Sequence, residues 1–193
     1  MFENIIKNVH NRHPLIHCIT NYVSVNDCAN IVLACGGAPI MAEDINEVSQ
    51  ITSICQGLDI NIGMLNDNKL SSMLKAGATA NELGIPVILD PVGAGSSDYR
   101  IKAVQNLMSN VQFGVIRGNV SEIKAIAEKQ GIHNIAAGVY ETMQKNKSAM
   151  GVEAGIADKI TDDNIKEMAD FINKLSQRTG AVIAVTGGIE MVA

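Results

Sequence analysis

Four apolar runs end in side chains able to do polar chemistry. Asp90 closes Ile85-Pro86-Val87-Ile88-Leu89 and is followed at once by Pro91-Val92-Gly93-Ala94-Gly95. Arg117-Gly118-Asn119 closes a second run, with Glu122 one helical turn further on, and Thr186-Gly187 closes a third. Thr20-Asn21 ends an earlier one. In an open parallel sheet, ligands bind beyond the carboxyl ends of the strands. A carboxylate at a buried strand end is costly without a partner, so Asp90 calls for a structural partner, a cation or a substrate. The glycines after it let a ligand come close to backbone. Two carboxylates, Asp90 and Glu122, can hold a magnesium ion through water. Arg117 and free backbone amides can hold phosphate oxygens. The combination suggests phosphoryl transfer.

Each residue also has a plainer reading. Glu122 completes the spacing of a capping box with Asn119. Arg117 reads equally well as a surface arginine, and Thr186-Gly187 as a turn. His17, in mid-strand, reads as a hydrogen-bonded core residue, and His10, His13 and His133 as surface or helix residues. No G-x-x-x-x-G-K-[ST] occurs, which excludes a P-loop. Gly93-Ala94-Gly95 continues as Ser96-Ser97-Asp98, which disfavours a dinucleotide-binding turn.

The elements that must position these residues alternate between strand and helix. Apolar spacing predicts a helix over 1–12, ended by Pro14, then a strand at 15–20. Ser24 to Asp27 offers caps for a helix through Cys35, closed by Gly36-Gly37. An extended piece at 38–41 follows, then a helix started by Glu43 and Asp44. A strand at 58–62 precedes a helix capped by Asn66 or Asp67, running to Leu83 and ended by Gly84. The strand at 85–90 reads as buried. After it come a helix at 98–109, a strand at 113–116 and a helix from the Asn119 box to Gln130. Residues 133–144 are read as helical, and 145–158 show no period. Thr161 is read as the cap of an amphipathic helix closed by Gly180, and the strand at 181–185 as the last. Strict alternation of this kind means an α/β fold with a mainly parallel central sheet and helices on both faces.

The chain has 193 residues with 47% hydrophobic, 18% charged and only 3% aromatic residues. That is enough for one domain with an aliphatic core, filled in part by nine methionines. A net charge of -5 without a basic run argues against a nucleic-acid partner. No apolar stretch nears the roughly 20 residues of a membrane helix. The N-terminus lacks a signal-peptide pattern, so the cytoplasm is the default. Cys18, Cys28, Cys35 and Cys55 form no C-x-x-C pair and read as small buried hydrophobes, with Cys28 and Cys35 on one helix face.

The motifs His17-Cys18-Ile19-Thr20-Asn21, Ala38-Pro39-Ile40-Met41-Ala42, Asn61-Ile62-Gly63, Leu89-Asp90-Pro91-Val92-Gly93-Ala94-Gly95, Ile116-Arg117-Gly118-Asn119 with Glu122, and Ala184-Val185-Thr186-Gly187 stand in one order over almost the whole chain. In that order they resemble hydroxyethylthiazole kinases of the ribokinase-like superfamily. The resemblance implies ATP-dependent phosphorylation of the hydroxyl of 4-methyl-5-(2-hydroxyethyl)thiazole in thiamine salvage and biosynthesis. It implies that Met41 and Asn21 bind the thiazole, that Arg117 and Thr186 bind ATP, and that Asp90 and Glu122 serve magnesium and phosphate. It also implies a homotrimer with active sites between subunits. In the family a later G-x-G-C-type turn supplies the anion hole and the residue nearest the substrate hydroxyl. Residues 1–193 resemble the first two-thirds of such a kinase, a single ribokinase-like domain without its C-terminal third. On that comparison the catalytic residue is unknown in this chain, and these residues alone are expected to be inactive. A smaller departure is Glu190, where the family often has Asp. Two other readings are a ribokinase-like kinase for another small alcohol and a non-catalytic, thiazole-binding fragment.

Overall fold

In the computed structural model, residues 2–132 and 160–193 are described, and the chain divides into two compact units. The helical reading of 133–144, the aperiodic stretch at 145–158 and His133 lie outside the described residues.

The first unit comprises Met1–Asp90 with Leu107–Gln112. Helix α1 (Phe2–Arg12) leads into β1 (Leu15–Ile19), α2 (Val25–Ala34) and β2 (Ala38–Ile40). There follow α3 (Val48–Ile54), β3 (Gly57–Asn61), α4 (Asp67–Glu82) and β4 (Val87–Asp90). The strand order is β2-β1-β3-β4, parallel throughout. Ile19, Leu58, Ile60, Ile62, Met73 and Leu89 are fully buried and form its aliphatic core.

The second unit comprises Pro91–Asn106 and Phe113–Ala193. Helix α5 (Asp98–Asn110) begins in it, followed by β5 (Val115–Asn119) and α6 (Val120–Lys129). Helix α7 (Ile165–Thr179), β6 (Val182–Thr186) and β7 (Met191–Val192) complete the described residues. Strands β5 and β6 are parallel, and β7 returns antiparallel beside β6. Ile116, Ile123, Ile126, Ile172, Leu175 and Ile183 are its core. The class is α/β with a mainly parallel sheet, as expected.

Several boundaries moved for identifiable reasons. The predicted strand start at Ile85 belongs instead to the end of α4. The Ile85 N–H donates to the Ala80 carbonyl at 2.8 Å and the Gly84 N–H to Asn81 at 3.2 Å, with Gly84 at φ 67°. This is a Schellman closure, which consumes the two residues after the cap. In β4 itself Val87 and Leu89 are buried but Ile88 is 41% exposed, so only one face is sealed. The strand expected at 113–116 instead spans Val115–Asn119, taking in Arg117-Gly118-Asn119.

Glu43 and Asp44 do not start a helix. Asp44 Oδ1 accepts from the Asn46 N–H at 2.8 Å, a local Asx turn that delays α3 to Val48. Thr161 is not the cap of α7: its N–H donates at 2.9 Å to Asn164, which occupies the cap position. Ser24 holds the cap position of α2 without a side-chain cap bond, while Asn21 Oδ1 accepts its N–H at 3.0 Å. Cys18 and Cys55 are buried, but Cys28 is half-buried and Cys35 exposed, so the shared buried face expected of that pair is not found.

Candidate active site

In the first unit the carboxyl ends of the parallel strands carry three polar residues and a methionine. Asn21 follows β1, Met41 follows β2, and Asn61 and Asp90 end β3 and β4, where they are register partners. Asn21 Nδ2 donates to Asn61 Oδ1 at 3.2 Å, and the Gly63 N–H donates to the same oxygen at 2.8 Å. A Cβ on Gly63 would stand 2.9 Å from both side chains, so the pair fits only against glycine. Asn21 is therefore held by the loops it joins.

Met41 is half-buried and lines a cavity of about 270 Å³ with Cys18, Thr20, Tyr22, Val25, Ala42 and Glu43. Asn21 is not among these lining residues. Most of the wall is apolar, with a polar rim at Tyr22 and Glu43. His17 sits fully buried behind the Met41 segment. Its Nε2 lies 2.8 Å from the Ala42 carbonyl and its Nδ1 2.8 Å from Thr52 Oγ1. The carbonyl can only accept, so Nε2 carries the proton and Nδ1 accepts from the hydroxyl. Burial lowers the imidazole's pKa, with the Ala42 bond and Glu47 opposing it. His17 is the core residue its position suggested. Burial pushes the Cys18 thiol up to about 12, which leaves it inert as a nucleophile.

The rim contains residues that no motif signalled. Lys69, in the first turn of α4, is buried at 3% side-chain exposure. Its Nζ lies 2.7 Å from Glu43 Oε2 and 2.7 Å from the Thr20 carbonyl, and it stands 4.6 Å from the centre of the Tyr22 ring. The Tyr22 hydroxyl donates to the other Glu43 oxygen. Burial acts to raise the Glu43 pKa, but the bonds from Lys69 and Tyr22 outweigh it and leave it lowered. In sequence, Glu43 looked like a helix-starting acid, and nothing singled out Lys69.

In the second unit the turn after Asp90 is closed from within. The Gly93 N–H donates to Glu122 Oε1 at 2.9 Å, the Ala94 N–H to the Pro91 carbonyl at 2.9 Å and the Ser96 N–H to the Gly93 carbonyl at 2.9 Å. Arg100 Nη1 reaches the Val92 carbonyl at 2.7 Å. The free amides expected of Gly93 and its neighbours are thus already engaged. Gly93 has φ 68°, a conformation that favours glycine. A Cβ on Gly95 would meet the Ala125 Cβ at 3.4 Å, an ordinary contact, so packing against α6 does not itself require glycine there.

Glu122 is 7% exposed and completes the capping box: its Oε2 accepts from the Asn119 N–H at 2.8 Å while Asn119 Oδ1 accepts from the Glu122 N–H at 2.9 Å. Arg117 is exposed on β5, and Thr186, half-buried at the end of β6, is the register partner of Asn119. Asp90 is half-buried. Among the described residues no group of three or more His, Cys, Asp or Glu side chains could hold a metal ion. A magnesium ion does not require one, because it commonly takes one or two carboxylates with phosphate and water. Among the described residues no helix is long and apolar enough to cross a membrane.

Comparison with known proteins agrees with this architecture. The chain is 52% identical over 193 residues to the hydroxyethylthiazole kinase of Clostridium acetobutylicum, covering 100% of this chain and 65% of that protein. It is 45% identical to the hydroxyethylthiazole kinase of Desulfovibrio desulfuricans, covering 62% of that protein. The chain thus spans a little under two thirds of the length of these curated relatives. The hydroxyethylthiazole kinase structure from Pyrococcus horikoshii OT3 superposes with a TM-score of 0.79 at 30% identity, over 98% of this chain and 62% of that one. A sequence model of the hydroxyethylthiazole kinase family matches residues 6–193, and the chain belongs to that family.

Proposed function

We propose that the protein transfers the γ-phosphate of ATP to the hydroxyl of 4-methyl-5-(2-hydroxyethyl)thiazole, a step of thiamine salvage and biosynthesis. The observation that carries this reading is the Met41 cavity. It lies at the carboxyl edge of β1 and β2, is mostly apolar, and at about 270 Å³ suits a single small ring. Family membership supplies the substrate class.

In this reading Met41 packs on the thiazole ring, and Asn21 holds the adjoining loop through Asn61. Arg117 and Thr186 contact ATP; a guanidinium matches phosphate oxygens with paired donors. The donors suit magnesium, a hard cation that prefers carboxylates. Asp90 is assigned to the ion, and Glu122 to the phosphate region as well as to its own turn. A bound magnesium ion would withdraw charge from the phosphate oxygens. Catalysis then rests on positioning the alcohol and the phosphate.

The proposal extends to a single ribokinase-like domain that is cytoplasmic and assembles as a homotrimer. Helix α2 has no buried residue, and Tyr22, Val23, Ile31 and Leu33 are exposed on and beside it, a surface that subunit contact would cover. A coupled ADP-release assay on the full-length protein tests the reaction. Thiazole-dependent ADP release that requires magnesium is expected. ADP release that ignores the thiazole would overturn the substrate assignment.

A further inference from the structure

Lys69 does not line the Met41 cavity, yet it contacts three residues that do. Its ammonium holds Glu43 Oε2 at 2.7 Å and the Thr20 carbonyl at 2.7 Å, under the Tyr22 ring at 4.6 Å. Its own backbone is fixed as well, because the Lys69 N–H donates at 2.9 Å to the Asn66 side chain that caps α4. The two Glu43 oxygens are both occupied, one by Lys69 and one by the Tyr22 hydroxyl. A carboxylate on the wall of a mostly apolar cavity would otherwise favour a cation there. A buried ammonium behind it cancels that charge without entering the cavity.

We propose that Lys69 is a positioning residue that determines charge selectivity: by neutralising Glu43 and fixing the Thr20 and Tyr22 loop, it makes the cavity accept an uncharged heteroaromatic ring and reject an N-alkylated, cationic one. The inference rests on the thiazole reading and names a specificity that this reading does not contain. The distinction matters chemically. A thiazole and its N-alkylated thiazolium have nearly the same shape, so a shape-matched apolar pocket separates them poorly, whereas the charge on the wall separates them well.

The experiment is calorimetric titration of the full-length protein with two probes, 4-methyl-5-(2-hydroxyethyl)thiazole and its N-methyl thiazolium. The wild-type protein is expected to bind the neutral ring at least about tenfold more tightly than the cation. Lys69→Met leaves Glu43 unpaired and should move the ratio about tenfold toward the cation. Glu43→Gln leaves the ammonium unpaired and should move it the other way. The double variant Glu43→Gln/Lys69→Met should return to a wild-type ratio, and Lys69→Arg should retain it. Glu43→Gln alone still decides the matter if Lys69→Met does not fold. A purely structural role for Lys69 would weaken both probes equally and leave the ratio unchanged, which overturns the inference while the thiazole reading stands. A wild-type protein that binds neither probe removes the thiazole reading and this inference with it.

Discussion

The Gly93 N–H donates a 2.9 Å hydrogen bond to Glu122 Oε1, across twenty-nine residues of sequence, while Glu122 Oε2 accepts the Asn119 N–H at 2.8 Å. One buried carboxylate thereby fixes both the glycine turn after Asp90 and the start of α6. In Glu122→Gln only one amide atom can still accept, so one of these two backbone donors loses its partner. A buried donor left unpaired costs about 1–3 kcal/mol. We expect Glu122→Gln to lower unfolding free energy by that order in urea titration, and to raise the magnesium needed for activity. Wild-type stability in the variant would mean that the Glu122 bonds are dispensable.

Asp90→Asn keeps shape while removing charge. With Asp90 at the metal, the variant should need several-fold more magnesium for half-maximal rate. An unchanged magnesium titration would take Asp90 out of the metal site.

Met41→Lys places an ammonium in the mostly apolar cavity. Desolvating that charge should weaken thiazole binding by tenfold or more, on the order of 1.4 kcal/mol, and leave ATP binding nearly intact. Calorimetry with each ligand separates these effects. Equal loss of both ligands would indicate a folding defect instead.

His17 gives a pH dependence with a definite sign. Its pKa in the folded protein lies below the ordinary 6.5 because burial disfavours the charged ring. The unfolded chain therefore takes up the proton first as pH falls. The contribution is fully present above about 6.5 and is lost as pH drops from there through the folded-state pKa. Protonation would also abolish the bond that Nδ1 accepts from Thr52. Urea midpoints should be flat from pH 8 to 7 and fall below about 6.5, and His17→Gln should flatten that decline. A variant as pH-sensitive as wild type would assign the effect to other groups.

Gly77 lies inside α4, where alanine would ordinarily favour the helix by about 1 kcal/mol. A Cβ there would stand 2.5 Å and 2.8 Å from the two Val111 methyls and 3.2 Å from its Cβ. The stiff valine cannot move all three atoms away, so Gly77→Ala should destabilise by about 1–3 kcal/mol. Thermal denaturation should also show Val111→Ala rescuing it relative to the single variants. Stabilisation by Gly77→Ala alone would refute the steric argument.

What the sequence determined by itself was local in origin. Period made most of the helices legible, with the glycine stops at Gly84 and Gly180, and apolar runs ending in Asp90 and Thr186 placed polar chemistry at strand ends, whereas Arg117 lies within β5. The Asn119–Glu122 box was readable because its partners are three residues apart, and His17 because a mid-strand imidazole needs buried hydrogen-bond partners. Tertiary structure decided whatever depends on groups distant along the chain. It gave the Glu122 carboxylate a second task at Gly93, which turned a supposedly open amide turn into a closed one. It drew Glu43 away from a helix start and into a pair with Lys69, and it buried that lysine beneath Tyr22. A surface lysine and a buried, paired one look alike in sequence, because the energy that separates them, desolvation set against a partner's charge, exists only once the chain has brought the partner to it.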